Sequence, residues 1–294
     1  MTQDSGCFRL RRRLRGGRSF YSPGRPTRQR SDTLYETILL EKSGGIANVA
    51  LNRKEKLNAF DSTMHDELYA ALDEAAEDED VRCIVLRGEG RGFSAGADLA
   101  QIVREADGDP DLGEYLRNTY SRLVKQMVGI EKPIVAALHG PVYGAGVGIA
   151  LACDLRVAAE NTKFSVAFIK IGLMPDAGVT FLLPRVVGFG RAMEMSMLGD
   201  AVDAEEAYRI GLVNKVVAED ILSEEVRNLA GRLATMPTFA LGRIKHSLYA
   251  SFETDLETAL EAEAEGQTFC GYTQDHKEGV TAFFEKREAR FTGR

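Results

Sequence analysis

Residues 92–99 read GFSAGADL, and residues 139–154 read HGPVYGAGVGIALACD. The first stretch opens with Gly92-Phe93-Ser94-Ala95-Gly96, which fits G-x-S-x-G, the pattern of the serine-hydrolase nucleophile elbow. An elbow sets its serine on a tight turn directly between strand and helix. Here the preceding strand pattern, VRCIVLRG (81–88), ends at Gly88, and five residues, Glu89 to Phe93, intervene before Ser94. The downstream histidines His246 and His276 lie in charged helical contexts, with no elbow-like sequence beside them. The second stretch, Gly144-Ala145-Gly146-Val147-Gly148, invites a dinucleotide-binding reading. That fingerprint needs Gly or Ala at 149, where Ile149 stands, and an acidic residue about twenty positions further on that is missing in the required context.

The two stretches are better read together. Each is a strand end, then small residues, then a helix start. Small residues let backbone approach a ligand closely, and helix N-termini offer unpaired N–H groups and a positive dipole end. Two such amides aimed at one point make an oxyanion hole.

Strand and helix patterns alternate along the chain, so the fold class is α/β. YETILLEKSGGIANVALN (35–52) reads as two strands about Gly44-Gly45. Asp61 and Ser62 offer caps to a helix over 62–78, with Met64, Leu68, Ala71, Leu72 and Ala75 at helical spacing. VRCIVLRG and PIVAALHG (133–140) are continuous apolar runs, the pattern of strands buried on both faces. Residues 99–129 read as mostly helical with a break at DGDPD (107–111), and LRVAAE (155–160), FSV (164–166) and LVNKVV (212–217) as short strands. From Gly190 onward helix dominates. We divide the chain into an extension (1–32), an α/β core (33–225) and a helical C-terminal region (226–294).

Hydrophobic residues make up 44% and charged residues 28%, ordinary for a globular protein. No apolar run is long enough to span a membrane. Four dispersed cysteines, Cys7, Cys83, Cys153 and Cys270, and four dispersed histidines show no metal-ligand spacing. The net charge of -7 is uneven: residues 1–31 hold nine arginines and one acid, Asp4, which leaves the remainder strongly acidic. The extension has too little apolar content to offset the entropy of ordering and is expected to be disordered. It reads as a start assigned too far upstream of a protein opening near Ser31, as a transit peptide, or as a basic arm. These readings place the protein in the cytoplasm, or in the mitochondrial matrix for a transit peptide. The acidic body disfavours nucleic acid as a partner.

GFSAGADL, HGPVYGAGVGIALACD, KIGLMPDAG and the tail AFFEKR, in this order and spacing, resemble the crotonase superfamily (the enoyl-CoA hydratase/isomerase family) across residues 34–294. The resemblance implies a spiral of ββα units packed as two sheets, with C-terminal helices that support trimers and hexamers. It implies acyl-CoA thioester substrates, no metal, and no cofactor other than the CoA carried by the substrate. By position, the N–H groups of Ala97 and Ala145 form the oxyanion hole, and Ser94 falls where the family keeps small residues. Ala95, Asp98 and Leu99 match the adenine pocket, Asp98 serving equally as a helix cap. Lys56 and Leu57 match the early CoA-contact loop. Phe283 and Lys286 match a tail that reaches a neighbouring subunit's CoA phosphates, Lys286 reading equally as part of a solvated helix face. Tyr120, with Tyr115 and Met127, belongs to the region that shapes the acyl pocket. His139 and Asp154 are read as structural.

The sequence departs from the family's hydratases where it matters most. Hydratases use two glutamates to hold and split a water, and their places are Gly148 and Phe168 here. A third family position, occupied by a catalytic aspartate in dienoyl-CoA isomerases, phenylacetyl-CoA ring-epoxide isomerases and a dehalogenase, is Asp176. AFIKIGLMPDAGVTFLLPR most resembles the phenylacetate-pathway isomerases, with Val179 where Gly is usual. The expectation is an isomerase that shifts a double bond or rearranges an epoxide, with Asp176 as acid and base and Phe168 drying the pocket. The other readings are a turn-capping role for Asp176, a hydratase that recruits another acid in place of the two glutamates, with Asp176 itself as a candidate, a silent CoA-ester-binding scaffold, and an RNA-binding member using the arginine arm.

Overall fold

The apolar runs become the middle of a six-stranded sheet in the structure, a computed structural model that describes residues 35–105 and 111–294. The arginine-rich extension and most of the expected break at 107–111 lie outside the described residues. The sheet runs β1 (Ile38–Ser43), β2 (Ile46–Leu51), β3 (Cys83–Gly88), β4 (Ile134–Leu138), β6 (Leu155–Ala159) and β9 (Lys215–Val217). Its first pair is antiparallel and the rest are parallel. A second sheet joins β5 (Pro141–Tyr143), β7 (Lys163–Ser165) and β8 (Val202–Asp203). Neither β5 nor β8 was legible in the sequence: three residues beside glycine and two beside a helix cap are too short to show a period.

Successive side chains of a strand point to opposite faces, and both faces here are covered. Ile84, Leu86, Ile134, Ala136, Leu138 and Ala158 enter the main core. Their neighbours Cys83, Val85, Val135, Ala137, Val157 and Ala159 enter a second core under α9 (Leu222–Ala234). That helix contributes Leu222, Val226, Ala230 and Leu233, a stripe at helical spacing. It crosses residues 225 and 226, so the C-terminal boundary drawn from sequence falls inside a helix that roofs the sheet.

On the opposite face α1 (Ser62–Glu77) packs on β1 and β2, and α4 (Tyr120–Gly129) packs on α1, on α3 (Leu112–Asn118) and on α5 (Ala145–Ala152); α2 (Leu99–Glu105) precedes α3 in the chain. The Asp61 carboxylate caps α1 at Met64 N, as expected. All eight residues of α5 are buried, which is why AGVGIALA carries no polar face. Further along come α6 (Val179–Val187), α7 (Phe189–Leu198) and α8 (Ala204–Arg209). After α9 follow α10 (Thr238–Ala250), α11 (Leu256–Gly271) and α12 (Gln274–Glu285). Residues 35–294 form one compact unit. Among the described residues no helix is long and apolar enough to cross a membrane.

Asp154, read as a backbone tie, accepts the Ile134 N–H at 2.7 Å at the start of β4. It also accepts the Lys245 ammonium at 3.1 Å, and Lys245 donates to the Met127 carbonyl at 2.8 Å. One buried lysine thus fastens α10 to α4 and to the sheet. Lys245→Met leaves the Asp154 charge without its cation, and should lower the unfolding free energy by about 3 kcal/mol. A urea titration reads this as a lower midpoint at unchanged slope; an unmoved midpoint would show that the pair contributes nothing.

Candidate active site

The residues before α2 run alongside β5 and bring the two glycine turns together. Ser94 N–H donates to the Pro141 carbonyl at 3.1 Å, and Tyr143 N–H donates to the Ser94 carbonyl at 2.9 Å. On the other side Phe60 brackets Ala97: Phe60 N–H donates to Gly96, and Asp98 N–H donates to Phe60. This pairing turns the Ala97 N–H away from Phe60. Gly96, at φ +94°, is where the turns meet: a Cβ there would lie 2.9 Å from the Tyr143 carbonyl and 3.3 Å from Ala145 N. No other residue type fits that spacing and that φ. Among the described residues neither the Ala97 nor the Ala145 N–H has an acceptor. Ala145 is the first residue of α5, so its amide adds the positive end of a helix.

Ser94 is fully buried. Its hydroxyl donates to the Asn58 carbonyl at 2.8 Å and accepts the Gly96 N–H at 3.1 Å. The elbow reading ends there: this oxygen is a strut inside the turn.

Asn58 and Arg53, which the sequence reading passed over, hold the rim. Asn58 adopts φ +54° and donates from Nδ2 to the Glu89 and Gly92 carbonyls, each at 2.9 Å. Arg53 bridges Asp61 (3.0 Å) and Asp98 (3.2 Å). The Asp98 carboxylate therefore points inward, and it also accepts the Gln101 N–H, so it does act as a cap. Burial pushes its pKa up, but Arg53 and the Gln101 amide more than offset this, leaving it below its ordinary value. An asparagine in the left-handed region is the sequence signal for such a keystone, but it shows only once the turn is known. Ala95 N–H donates to Leu57 at 2.9 Å, which places Lys56, Leu57, Ala95, Asp98 and Leu99 along one edge. Lys56 and Leu99 are exposed there. Phe283 and Lys286 stand apart: they close α12, which packs on α11, and Phe283 is exposed.

The turn after Asp176 packs on α5. A Cβ on Gly148 would overlap the Ala177 carbonyl and fall 2.6 Å from the Ala177 Cβ. The turn after Asp176 therefore occupies the volume a side chain at 148 would need. Gly148 lies three residues after Ala145, about one turn or roughly 5 Å along the helix. Ala177 sits at φ +49°, a conformation most non-glycine residues avoid. Gly178 follows, its vacant Cβ position 3.2 Å from Val124 on α4. One turn before Val124 on α4 is Tyr120.

The Asp176 carboxylate does not cap the turn. Val179 N–H bonds to the main-chain carbonyl of Asp176 at 2.9 Å, and Gly178 is the N-cap of α6. Asp176 Oδ1 is buried with no hydrogen-bond partner among the described residues. Burial alone pushes its pKa to about 6. Phe168 is buried, its ring edge 4.0 Å from the vacant Cβ position of Gly144, beside the Ala145 amide. The arrangement offers two unpaired amides at adjoining turns, one proton-accepting carboxylate poised near neutrality, and an apolar wall. Among the described residues no cluster of potential metal ligands occurs.

Comparisons with known proteins agree with this architecture. The family profile for enoyl-CoA hydratase/isomerase matches residues 41–294. The chain belongs to the enoyl-CoA hydratase/isomerase family, and its crotonase-type α/β fold is the one expected from the four motifs. The 1,2-epoxyphenylacetyl-CoA isomerase of Escherichia coli K12 is 40% identical over 262 residues, covering 89% of this chain and 100% of that one. The crotonyl-CoA hydratase of Syntrophomonas wolfei is 37% identical over 258 residues, covering 87% and 98%. A crystal structure of enoyl-CoA hydratase from Bacillus anthracis superposes with a TM-score of 0.81 at 30% identity, covering 88% and 100%.

Two stability measurements check this geometry. Gly148→Ala should cost about 1–3 kcal/mol, because backbone has to move to admit one methyl group; a neutral effect would mean the Ala177 turn is not seated on α5. Asp176 gives a pH-dependent signature. Its folded pKa of about 6 lies above the ordinary 3.8, so the folded chain holds this proton more tightly than the unfolded chain does. That stabilisation is complete below pH 3.8 and is lost as pH rises through about 6. Above neutrality the ionised carboxylate destabilises the fold by up to about 3 kcal/mol. Asp176→Asn should therefore raise the thermal midpoint at pH 8 and leave it nearly unchanged at pH 4. Equal midpoints at pH 8 would place Asp176 in an environment as wet as bulk solvent.

Proposed function

We propose that this chain is an acyl-CoA isomerase that moves a double bond, or opens an epoxide, through a thioester enolate, with Asp176 as the single acid and base. The observation that carries the reading is the Asp176 side chain itself: Oδ1 is buried without a hydrogen-bond partner among the described residues, burial raises the carboxyl pKa to about 6, and the next residue, Ala177, packs on Gly148, one helical turn from Ala145. The Ala97 and Ala145 N–H groups serve as the oxyanion hole for the thioester oxygen. Preorganised donors of this kind each supply about 3 kcal/mol to a developing oxyanion.

With a 3-enoyl thioester, ionised Asp176 takes a proton from the carbon next to the carbonyl. The electron pair of that C–H bond moves into the thioester, giving a dienolate whose negative charge rests on the oxygen between the two amides. Protonated Asp176 then returns the same proton to the fourth carbon. The pair from the old double bond forms the new C–H bond, and the product is the conjugated 2-enoyl thioester. Atoms and charge balance without water or any cofactor beyond the CoA of the substrate. Phe168 keeps water from the amides.

A hydratase reading has the names of several relatives behind it. Hydration by the two-glutamate route lacks both carboxylates in this chain. At 148 the gap is more than an omission, since Ala177 backbone occupies the space. Lys56, Leu57, Ala95 and Leu99 serve as the CoA edge. Phe283 and Lys286 would complete it from a neighbouring subunit of a trimer or hexamer, a reading supported by exposed apolar residues such as Leu248, Leu256, Leu260 and Phe284 on or beside the C-terminal helices.

The test is steady-state turnover of 3-enoyl-CoA and epoxyacyl-CoA substrates, with crotonyl-CoA hydration as the comparator. For the wild type, kcat/KM for isomerisation should rise with pH through about 6 and then level, as Asp176 ionises. Asp176→Asn should lower it by about 10³-fold. Retained turnover in Asp176→Asn, or hydration faster than isomerisation in the wild type, would sink the proposal.

A further inference from the structure

Asp176 is not the only unsatisfied group at this end of the site. Tyr120 is 1% exposed, and its hydroxyl has no hydrogen-bond partner among the described residues. His65 on α1 is 4% exposed, and neither Nδ1 nor Nε2 has one. The two rings meet edge to face, with centroids 4.3 Å apart at 89°. Both also lie against Phe60, at 5.2 Å and 5.7 Å, and Phe60 is the residue whose backbone brackets Ala97. From the other side Tyr120 shares a face of α4 with Val124, one turn apart, and Val124 packs on Gly178, two residues after Asp176. The Asp176 charge reaches Tyr120: burial chiefly, then Tyr115 and Asp176, raise the phenol well above its ordinary pKa.

Buried polar atoms in folded proteins are nearly always paired, and those that are not call for an explanation. Here the orphans of two aromatic residues lie edge to face, and Tyr120 is within range of the Asp176 charge. The purely apolar choices, Phe at 120 and Leu at 65, would remove the desolvation penalty, yet the chain keeps the polar atoms. We propose that His65 and Tyr120 form a polar subsite of the acyl pocket that binds an uncharged oxygen carried by the acyl group beyond the thioester, such as a hydroxyl, ether, epoxide or carbonyl. The proposal rests on the reading of the Asp176 region as the acyl site.

The chemistry of the groups selects this ligand. Burial holds the His65 pKa near 3, so the ring is neutral at working pH and offers one N–H donor and one acceptor nitrogen. The tyrosine hydroxyl can donate and accept. Together they match an oxygen in any of the four classes. A carboxylate fits poorly, because the Asp176 charge, which already acts on Tyr120, repels it, and neither His65 nor Tyr120 carries a compensating charge. A hydrocarbon chain fits poorly too, since it leaves every orphan unpaired on binding.

The experiment is isothermal titration calorimetry on the full 294-residue chain with saturated, unreactive thioesters of equal length. The probes are heptanoyl-CoA, isosteres in which one distal methylene is replaced by an ether oxygen, and a chain ending in a carboxylate. At least one ether isostere should bind about tenfold tighter than the hydrocarbon, the worth of one well-placed hydrogen bond, and the carboxylate should bind weakest. Tyr120→Phe and His65→Leu should each shrink the ether-to-hydrocarbon ratio toward one. Hydrocarbon binding as tight as every ether, or a preference that survives both substitutions, overturns the proposal. Because the probes do not react, the outcome separates from the isomerase reading. A missing ether preference beside Asp176-dependent turnover removes the subsite alone. An ether preference without any turnover removes the isomerase reading alone.

Discussion

Around α5, main chain runs against main chain with no side chain between. At the N-terminal end Gly96 touches the Tyr143 carbonyl and the Ala145 amide; one helical turn later Gly148 touches Ala177. Both contacts require a glycine, and both fix something that chemistry needs. The first brings the turn carrying Ala97 against the start of α5, and the second seats the turn after Asp176 on the same helix. The rest of the molecule holds α5 still. The helix is buried along its whole length, because α4, α6 and β5 pack around it. Close packing of this kind transmits position to within tenths of an ångström, the tolerance at which amides stabilise a developing charge.

The site also stores unfavourable electrostatics. Among the described residues Asp176 Oδ1, the Tyr120 hydroxyl and both His65 ring nitrogens are buried without hydrogen-bond partners. In the rim, by contrast, Arg53 ties two carboxylates and Asn58 ties three backbone groups. The contrast separates a rim whose polar groups are tied from an interior whose polar groups are not. Frustrated groups survive in a fold only where surrounding structure over-determines them. The doubly covered sheet and the Lys245 clasp provide that support.

How much of this the sequence disclosed depends on the length scale of each feature. The central strands were legible because burial on both faces demands unbroken apolar residues. The first helix was legible because its cap and its stripe agree. The two glycine clusters and Asp176 were legible as motifs, and the family followed from their order. Features created by residues distant in sequence were not. Arg53 meets Asp98 across 45 positions, and Lys245 meets Asp154 across 91; neither pair has a local signature. His65 reads as one more position on an amphipathic helix, and its lack of partners exists only after α4 is laid over it. Gly148 was noticed for the carboxylate it lacks. The reason it lacks even a methyl group lies in Ala177, whose left-handed backbone no local pattern announces.

That contact also limits how such a protein can diverge. Enzymes that change reaction along a lineage commonly do so by exchanging one side chain at a time, each intermediate remaining folded. Here the two-carboxylate arrangement and the Asp176 arrangement compete for the same few cubic ångströms. A glutamate cannot enter at 148 until the 176–178 turn withdraws, and any such withdrawal moves Asp176 as well. A side chain at 148 and the backbone of this turn can therefore change only together.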